Sequence, residues 1–71
     1  MESGGPTVLW RLFRKGARMR AVMLPGGPPY TLTFFADDQM DRVENYETVE
    51  LALFRAEEIK RALLADHWSE D

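Results

Sequence analysis

The longest stretch of helical periodicity in the chain runs from Thr48 to Leu64. Apolar side chains recur there at three- and four-residue steps: Val49, Ala52, Leu53, Ala56, Ile59, Leu63 and Leu64. They fall on one side of a helix with 3.6 residues per turn, so the pattern predicts an amphipathic helix. Thr48 is the expected N-cap, because its hydroxyl can accept a hydrogen bond from a free backbone amide. The helix is predicted to end near Ala65 or Asp66.

The first half of the chain alternates between two sets of side chains, as β-strands do. Three strands are predicted, at residues 8–14, 18–24 and 30–36. Lys15, Gly16 and Ala17 are typical of a hairpin turn, since Gly16 tolerates positive φ. The Pro- and Gly-rich run at residues 25–29 cannot donate a regular hydrogen-bond ladder and is therefore predicted to be a loop.

A fourth, short edge strand is predicted at Met40 to Val43, where Asp41 and Arg42 discourage pairing between sheet edges. The predicted fold class is α+β: an antiparallel three- or four-stranded meander with one C-terminal helix packed on one face. Residues 7–68 form the predicted domain, with a mobile tail at 1–6 and a frayed end at 69–71. Trp68 is expected to fold back over the end of the core.

Strand alternation divides the predicted sheet into two faces. The side expected beneath the helix carries Val8, Trp10, Leu12, Ala21, Leu32 and Phe34. The other side, expected to stay open to solvent, carries Leu9, Arg11, Phe13, Arg18, Arg20, Val22, Thr31, Thr33 and Phe35.

Charge is distributed unevenly along the chain, although the net charge is only -3. Up to Phe35 there are five bases and one acid, and from Ala36 onward there are four bases and eleven acids. The five candidate residues of the open side are Arg11, Phe13, Arg18, Arg20 and Phe35. Aromatic side chains and arginine are enriched at protein interfaces, so this set favours a protein partner or a homodimer.

Two other interpretations of the same residues stay open. The basic hairpin from Arg11 to Arg20 suits nucleic acid, because guanidinium groups pair with phosphates and aromatic rings stack on bases. This alternative is less favoured, since the net charge of -3 repels a polyanion at long range. The set is also compatible with an ordinary solvated sheet face.

The residues that catalysis or metal binding needs are sparse in this chain. It has no cysteine and one histidine, His67, which lies in a region expected to end the helix. Its serines, Ser3 and Ser69, fall in the predicted tails, and the loop at residues 25–29 lacks the lysine and hydroxyl of a phosphate-binding loop. We therefore expect no catalytic residue, no metal and no cofactor, and hence a non-enzymatic interaction module.

A cytoplasmic location is expected, without a membrane anchor. No basic and apolar leader is visible, and the charge-free stretch at residues 21–36 is interrupted by proline and glycine. The absence of cysteine fits a reducing compartment.

Overall fold

The chain folds into an antiparallel sheet and a long helix in the computed structural model, which describes residues 5–71. The elements in chain order are β1 (Thr7–Arg14), β2 (Ala17–Met23), β3 (Tyr30–Ala36), β4 (Gln39–Tyr46), α1 (Val49–Ala65) and β5 (Ser69–Glu70). The strands lie in the order β4-β3-β2-β1-β5, and neighbouring strands are antiparallel. The predicted α+β class is confirmed. Most of the predicted tail at residues 1–6 lies outside the described residues.

The sheet differs from the prediction at both of its edges. Within residues 5–71 it has five strands rather than three or four, because Ser69–Glu70, expected to fray, pairs with β1. His67 takes a positive φ of 69°, where the chain leaves the helix and turns back toward the edge of β1. At the other edge, β4 is longer than the predicted Met40 to Val43 and has eight residues.

Two-residue turns join β1 to β2 and β3 to β4. Lys15 and Gly16 have φ values of 49° and 83°, and Asp37 and Asp38 have values of 51° and 68°. Positive φ at both central residues matches the right-handed twist of the flanking strands, which favours such turns in hairpins. The Asp37 carboxylate also accepts a hydrogen bond from the backbone N–H of Arg18, at 2.9 Å. This bond ties the second turn to the start of β2.

The core lies between α1 and one face of the sheet. Its buried cluster consists of Trp10, Leu12, Ala21, Leu32, Phe34 and Ala56. The indole N–H of Trp10 donates to the carbonyl oxygen of Ala56 at 2.9 Å, so the one polar atom of this side chain is satisfied inside the core. Ala52 and Ala56 are the buried helix residues, and their small side chains allow the helix to approach the sheet closely.

A bulge at the start of β1 reverses two predicted side-chain directions. Val8 pairs with Val22 and Trp10 pairs with Ala21, so Leu9 is an extra residue between two regular pairs. Val8 therefore lies on the open face with Val22, and Leu9 packs against the core. Our assignment of these two residues was wrong, because simple alternation does not allow for a bulge.

The helix begins as predicted but buries a narrower stripe. The Thr48 hydroxyl caps it by accepting a hydrogen bond from the Leu51 N–H at 3.2 Å. Ile59 and Leu63 pack against the core, as does Trp68 beyond the helix end. Three predicted members of the apolar stripe are instead exposed: Val49, Leu53 and Leu64.

Candidate interaction face

The face of the sheet opposite α1, called the open face below, collects side chains from four strands. Cross-strand pairing places Arg11 beside Arg20 and Arg20 beside Phe35. Phe35 is in turn opposite Met40, while Phe13 lies opposite Arg18. Directly paired residues project from the same side of a sheet, so the register assembles this face from segments far apart in the sequence.

The structure brings together four of the five candidate residues. Arg11, Arg18, Arg20 and Phe35 line a shallow depression of about 200 Å³. The fifth candidate, Phe13, lies beside it, and its side chain is 40% exposed. The candidate residues therefore form one patch rather than scattered surface positions.

Two of the three arginines on the open face are already paired with carboxylates. The Arg20 guanidinium contacts Asp38 at 2.6 Å and lies over the ring of Phe35, 4.2 Å from its centroid. The Arg18 guanidinium contacts Asp71 at 2.9 Å. Exposed ion pairs are weak, but each one lowers the local positive charge.

Arg11 differs from the other two arginines. Within residues 5–71 its side chain has no ion-pair partner. Its backbone carbonyl accepts a hydrogen bond from the Asp71 N–H at 3.0 Å, which ends the short β5 pairing. Among residues 5–71, the open face thus has one guanidinium, that of Arg11, without an ion-pair partner.

The open face is more apolar than the five candidate residues indicate. Met40 and Val43 on β4 are 64% and 45% exposed, and Val8 on β1 is also exposed. Val22 and Thr33 lie between Val8 and Val43 in one cross-strand row and are buried. Sequence reasoning missed Met40 and Val43, although both lie in the predicted strand, because simple alternation places them on opposite faces. The register shift at Asp41 puts both on the open face. Sequence reasoning also missed Asp38 and Asp71, whose long-range pairing leaves no local signal.

A second polar cluster joins β4 to α1 on the covered side of the sheet. The Tyr46 hydroxyl donates to Glu44 at 2.7 Å, and the Arg55 Nε donates to the same carboxylate at 3.2 Å. Burial raises the pKa of Glu44. This effect is outweighed by hydrogen bonds from Tyr46 and Arg55 and by the charges of Arg55 and Arg42, so the pKa of Glu44 lies below its ordinary value. The hydrogen bond to Glu44 raises the pKa of Tyr46. This cluster fixes the helix to the edge strand.

The described residues contain little that could hold a cofactor. Across residues 5–71, no group of three or more histidine, cysteine, aspartate or glutamate side chains is arranged to hold a metal ion. In the same part of the chain, no helix has the length and hydropathy that a bilayer span requires. Comparisons with protein families, with curated proteins and with solved structures find no match.

Proposed function

We propose that this chain is a small non-enzymatic interaction module that binds a protein partner through its open face. The observation that carries the proposal is the exposure of Phe13, Met40 and Val43 around arginines that are largely neutralised within the chain. A patch of aromatic and aliphatic side chains with arginine at its centre has the composition of a protein interface.

The ion pairs favour a protein over nucleic acid. A phosphate at Arg18 or Arg20 has to compete with the carboxylate of Asp71 or Asp38, which already pairs with that guanidinium. The remaining net charge of -3 adds long-range repulsion. An uncharged protein surface meets neither obstacle, and Phe13 gains from burial against it.

Nucleic-acid binding is the second candidate, and the observation in its favour is the Arg11 guanidinium, which has no ion-pair partner within residues 5–71. The test is titration of a fluorescently labelled single-stranded oligonucleotide at several salt concentrations. If this candidate holds, binding is tighter at low salt, and Arg11→Ala lowers the slope of log affinity against log salt by about 0.7. Absence of binding at low salt would exclude it.

Photo-crosslinking in the source cells tests the leading proposal. A benzophenone amino acid replaces Phe13 on the open face or, as a matched control, Leu53 on the helix, where exposure is 44% against 40% at Phe13. We expect a discrete protein adduct from position 13 that position 53 does not give. The proposal fails if position 13 gives no protein adduct, or if both positions give the same adducts.

Loss of the adduct upon changing a neighbouring residue provides a second check. In the chain that carries the probe at position 13, Val8→Ser shortens the exposed apolar patch on the open face. Leu64→Ser is the control, since Leu64 is similarly exposed on the helix. We expect the first change to weaken the adduct and the second to leave it intact.

A further inference from the structure

Within residues 5–71, the strand β4 forms an uncovered edge of the sheet. It is the outermost strand on its side, it has eight residues and it contains no proline. The opposite edge is partly protected, because β5 pairs with β1 at Leu12 and Phe13. An open edge strand presents unpaired N–H and C=O groups that can pair with another strand.

The register shows which backbone groups of β4 point outward. In an antiparallel strand, the N–H and C=O of one residue point to the same side, and successive residues alternate. The carbonyl of Thr31 accepts from the Leu24 N–H on the β2 side, so the next residue, Leu32, points toward β4. Leu32 pairs with Glu44, which therefore points back to β3, and the neighbouring Val43 points outward.

Charges on β4 are self-complementary around Val43. In an antiparallel pair of two β4 strands centred on Val43, Arg42 of each copy lies opposite Glu44 of the other. A pair centred on Glu44 would instead place two carboxylates opposite each other, which is unfavourable. These charges thus favour the register centred on Val43 over the one centred on Glu44.

An apolar groove opens beside the same edge. It has a volume of about 240 Å³ and is lined by Phe34, Asp41, Arg42, Ile59, Ala62 and Leu63. Antiparallel pairing of two β4 strands brings the Tyr46 end of one copy beside the Met40 end of the other. Because α1 starts just after Tyr46, the exposed Leu51 and Phe54 of the second copy come to the side where this groove opens.

We infer that two copies of the chain form a symmetric dimer by antiparallel pairing of their β4 strands, centred on Val43. The contact is isologous, since the same surface is used by both copies, and the five-stranded sheets join into one. Val43 also belongs to the open face, so the apolar row from Val8 to Val43 continues into the second copy. The inference concerns the β4 edge and does not depend on the proposed partner of the open face.

Sedimentation of the purified chain over a concentration series tests the dimer. The wild type should move from 8.2 kDa toward twice that mass as concentration rises. Val43→Pro removes an N–H that points away from β3, so the β3–β4 ladder keeps its bonds while both bonds at the dimer axis are lost. We expect its dimer dissociation constant to rise about thirtyfold or more. The control Val43→Thr keeps the N–H and should still dimerise.

Hydrogen exchange on the wild type gives an answer even if the proline variant does not fold. The Val43 and Asn45 amides both point outward and should gain protection as concentration rises, whereas amides that already bond to β3 should not change. The inference would be overturned if the wild type stays at 8.2 kDa at all concentrations. It would also be overturned if the exchange rate of the Val43 amide does not depend on protein concentration. Phe13→Ser, which alters the open face away from β4, should leave the dimer intact, so the two proposals can fail separately.

Discussion

Replacing each of two adjacent phenylalanines by alanine should affect stability very differently. Phe34 is 2% exposed and lies in the core cluster. Its ring centroid is 6.1 Å from that of Trp10. Phe35 is half-buried on the open face beneath the Arg20 guanidinium. The two residues have the same side chain and lie next to each other in β3, so the face of the sheet is the main difference between them.

The expected free-energy losses follow from these positions. Phe34→Ala removes a buried ring and leaves a cavity, which costs about 3 to 5 kcal/mol. Phe35→Ala loses partial burial and one cation–π contact, which together amount to about 1 to 2 kcal/mol. A chain of 71 residues is stabilised by roughly 4 to 11 kcal/mol in total, so the first change removes a large share of it.

Urea unfolding followed by tryptophan fluorescence and circular dichroism measures both losses. The urea concentration at the midpoint should fall much further for Phe34→Ala than for Phe35→Ala. The slope of the free energy of unfolding against urea concentration should change little. If Phe34→Ala is unfolded without urea, Phe34→Leu should have a smaller, measurable loss of stability, since leucine keeps part of the buried volume. Equal losses, or a larger loss at Phe35, would refute the assignment of the two faces.

Three smaller perturbations test local features of the fold. Thr48→Ala should lower the free energy of unfolding by about 1 kcal/mol, because it removes the acceptor for the Leu51 N–H, whereas Thr48→Ser should stay near the wild type in thermal melts. The lowered pKa of Glu44 stabilises the fold above the ordinary carboxyl value of 4.5, and this contribution is lost as pH falls through the folded pKa. Wild type should therefore exceed Glu44→Gln in urea resistance at neutral pH, and the gap should close below pH 4.5; a gap independent of pH would contradict this. Gly27→Ala should destabilise by about 1 kcal/mol or more, since Gly27 has a φ of 120° and a Cβ would lie 2.6 Å from the Tyr30 ring; an unchanged melting temperature would speak against it.

Strand alternation was sufficient to predict the sheet core. Trp10, Leu12, Leu32 and Phe34 occupy alternate positions, and burial of one face follows directly from that spacing. The bulge at Leu9 was not predictable in the same way, because Val8 and Leu9 are both apolar and either can face the core.

The edges of the sheet depended on tertiary contacts. The β5 strand has two residues, too few for any periodicity, and it forms because the chain turns back after the helix. In the helix, the apolar stripe is wider than the contact that the sheet provides, so Leu53 and Leu64 remain exposed. Sequence pattern alone gives the direction of a helix face but not the width of its partner surface.

The sequence predicted which residues form the candidate patch, but not that two of its arginines pair with carboxylates. Four candidate residues line one depression because the register aligns three strands. The carboxylates of Asp38 and Asp71 that neutralise Arg20 and Arg18 come from a turn and from the segment after β5. Their pairing depends on how the strands and turns meet in space, which has no short-range signature.

Fluorine NMR of the chain labelled with 4-fluorophenylalanine tests the two-faced sheet most directly. The chain has four phenylalanines: Phe13, Phe34, Phe35 and Phe54. With a water-soluble paramagnetic agent, the signals of Phe54 and Phe13 should broaden strongly, that of Phe35 should broaden partly, and that of Phe34 should stay sharp. A sharp Phe35 signal together with a broadened Phe34 signal would mean that the helix covers the other face, and would contradict the proposed interaction surface.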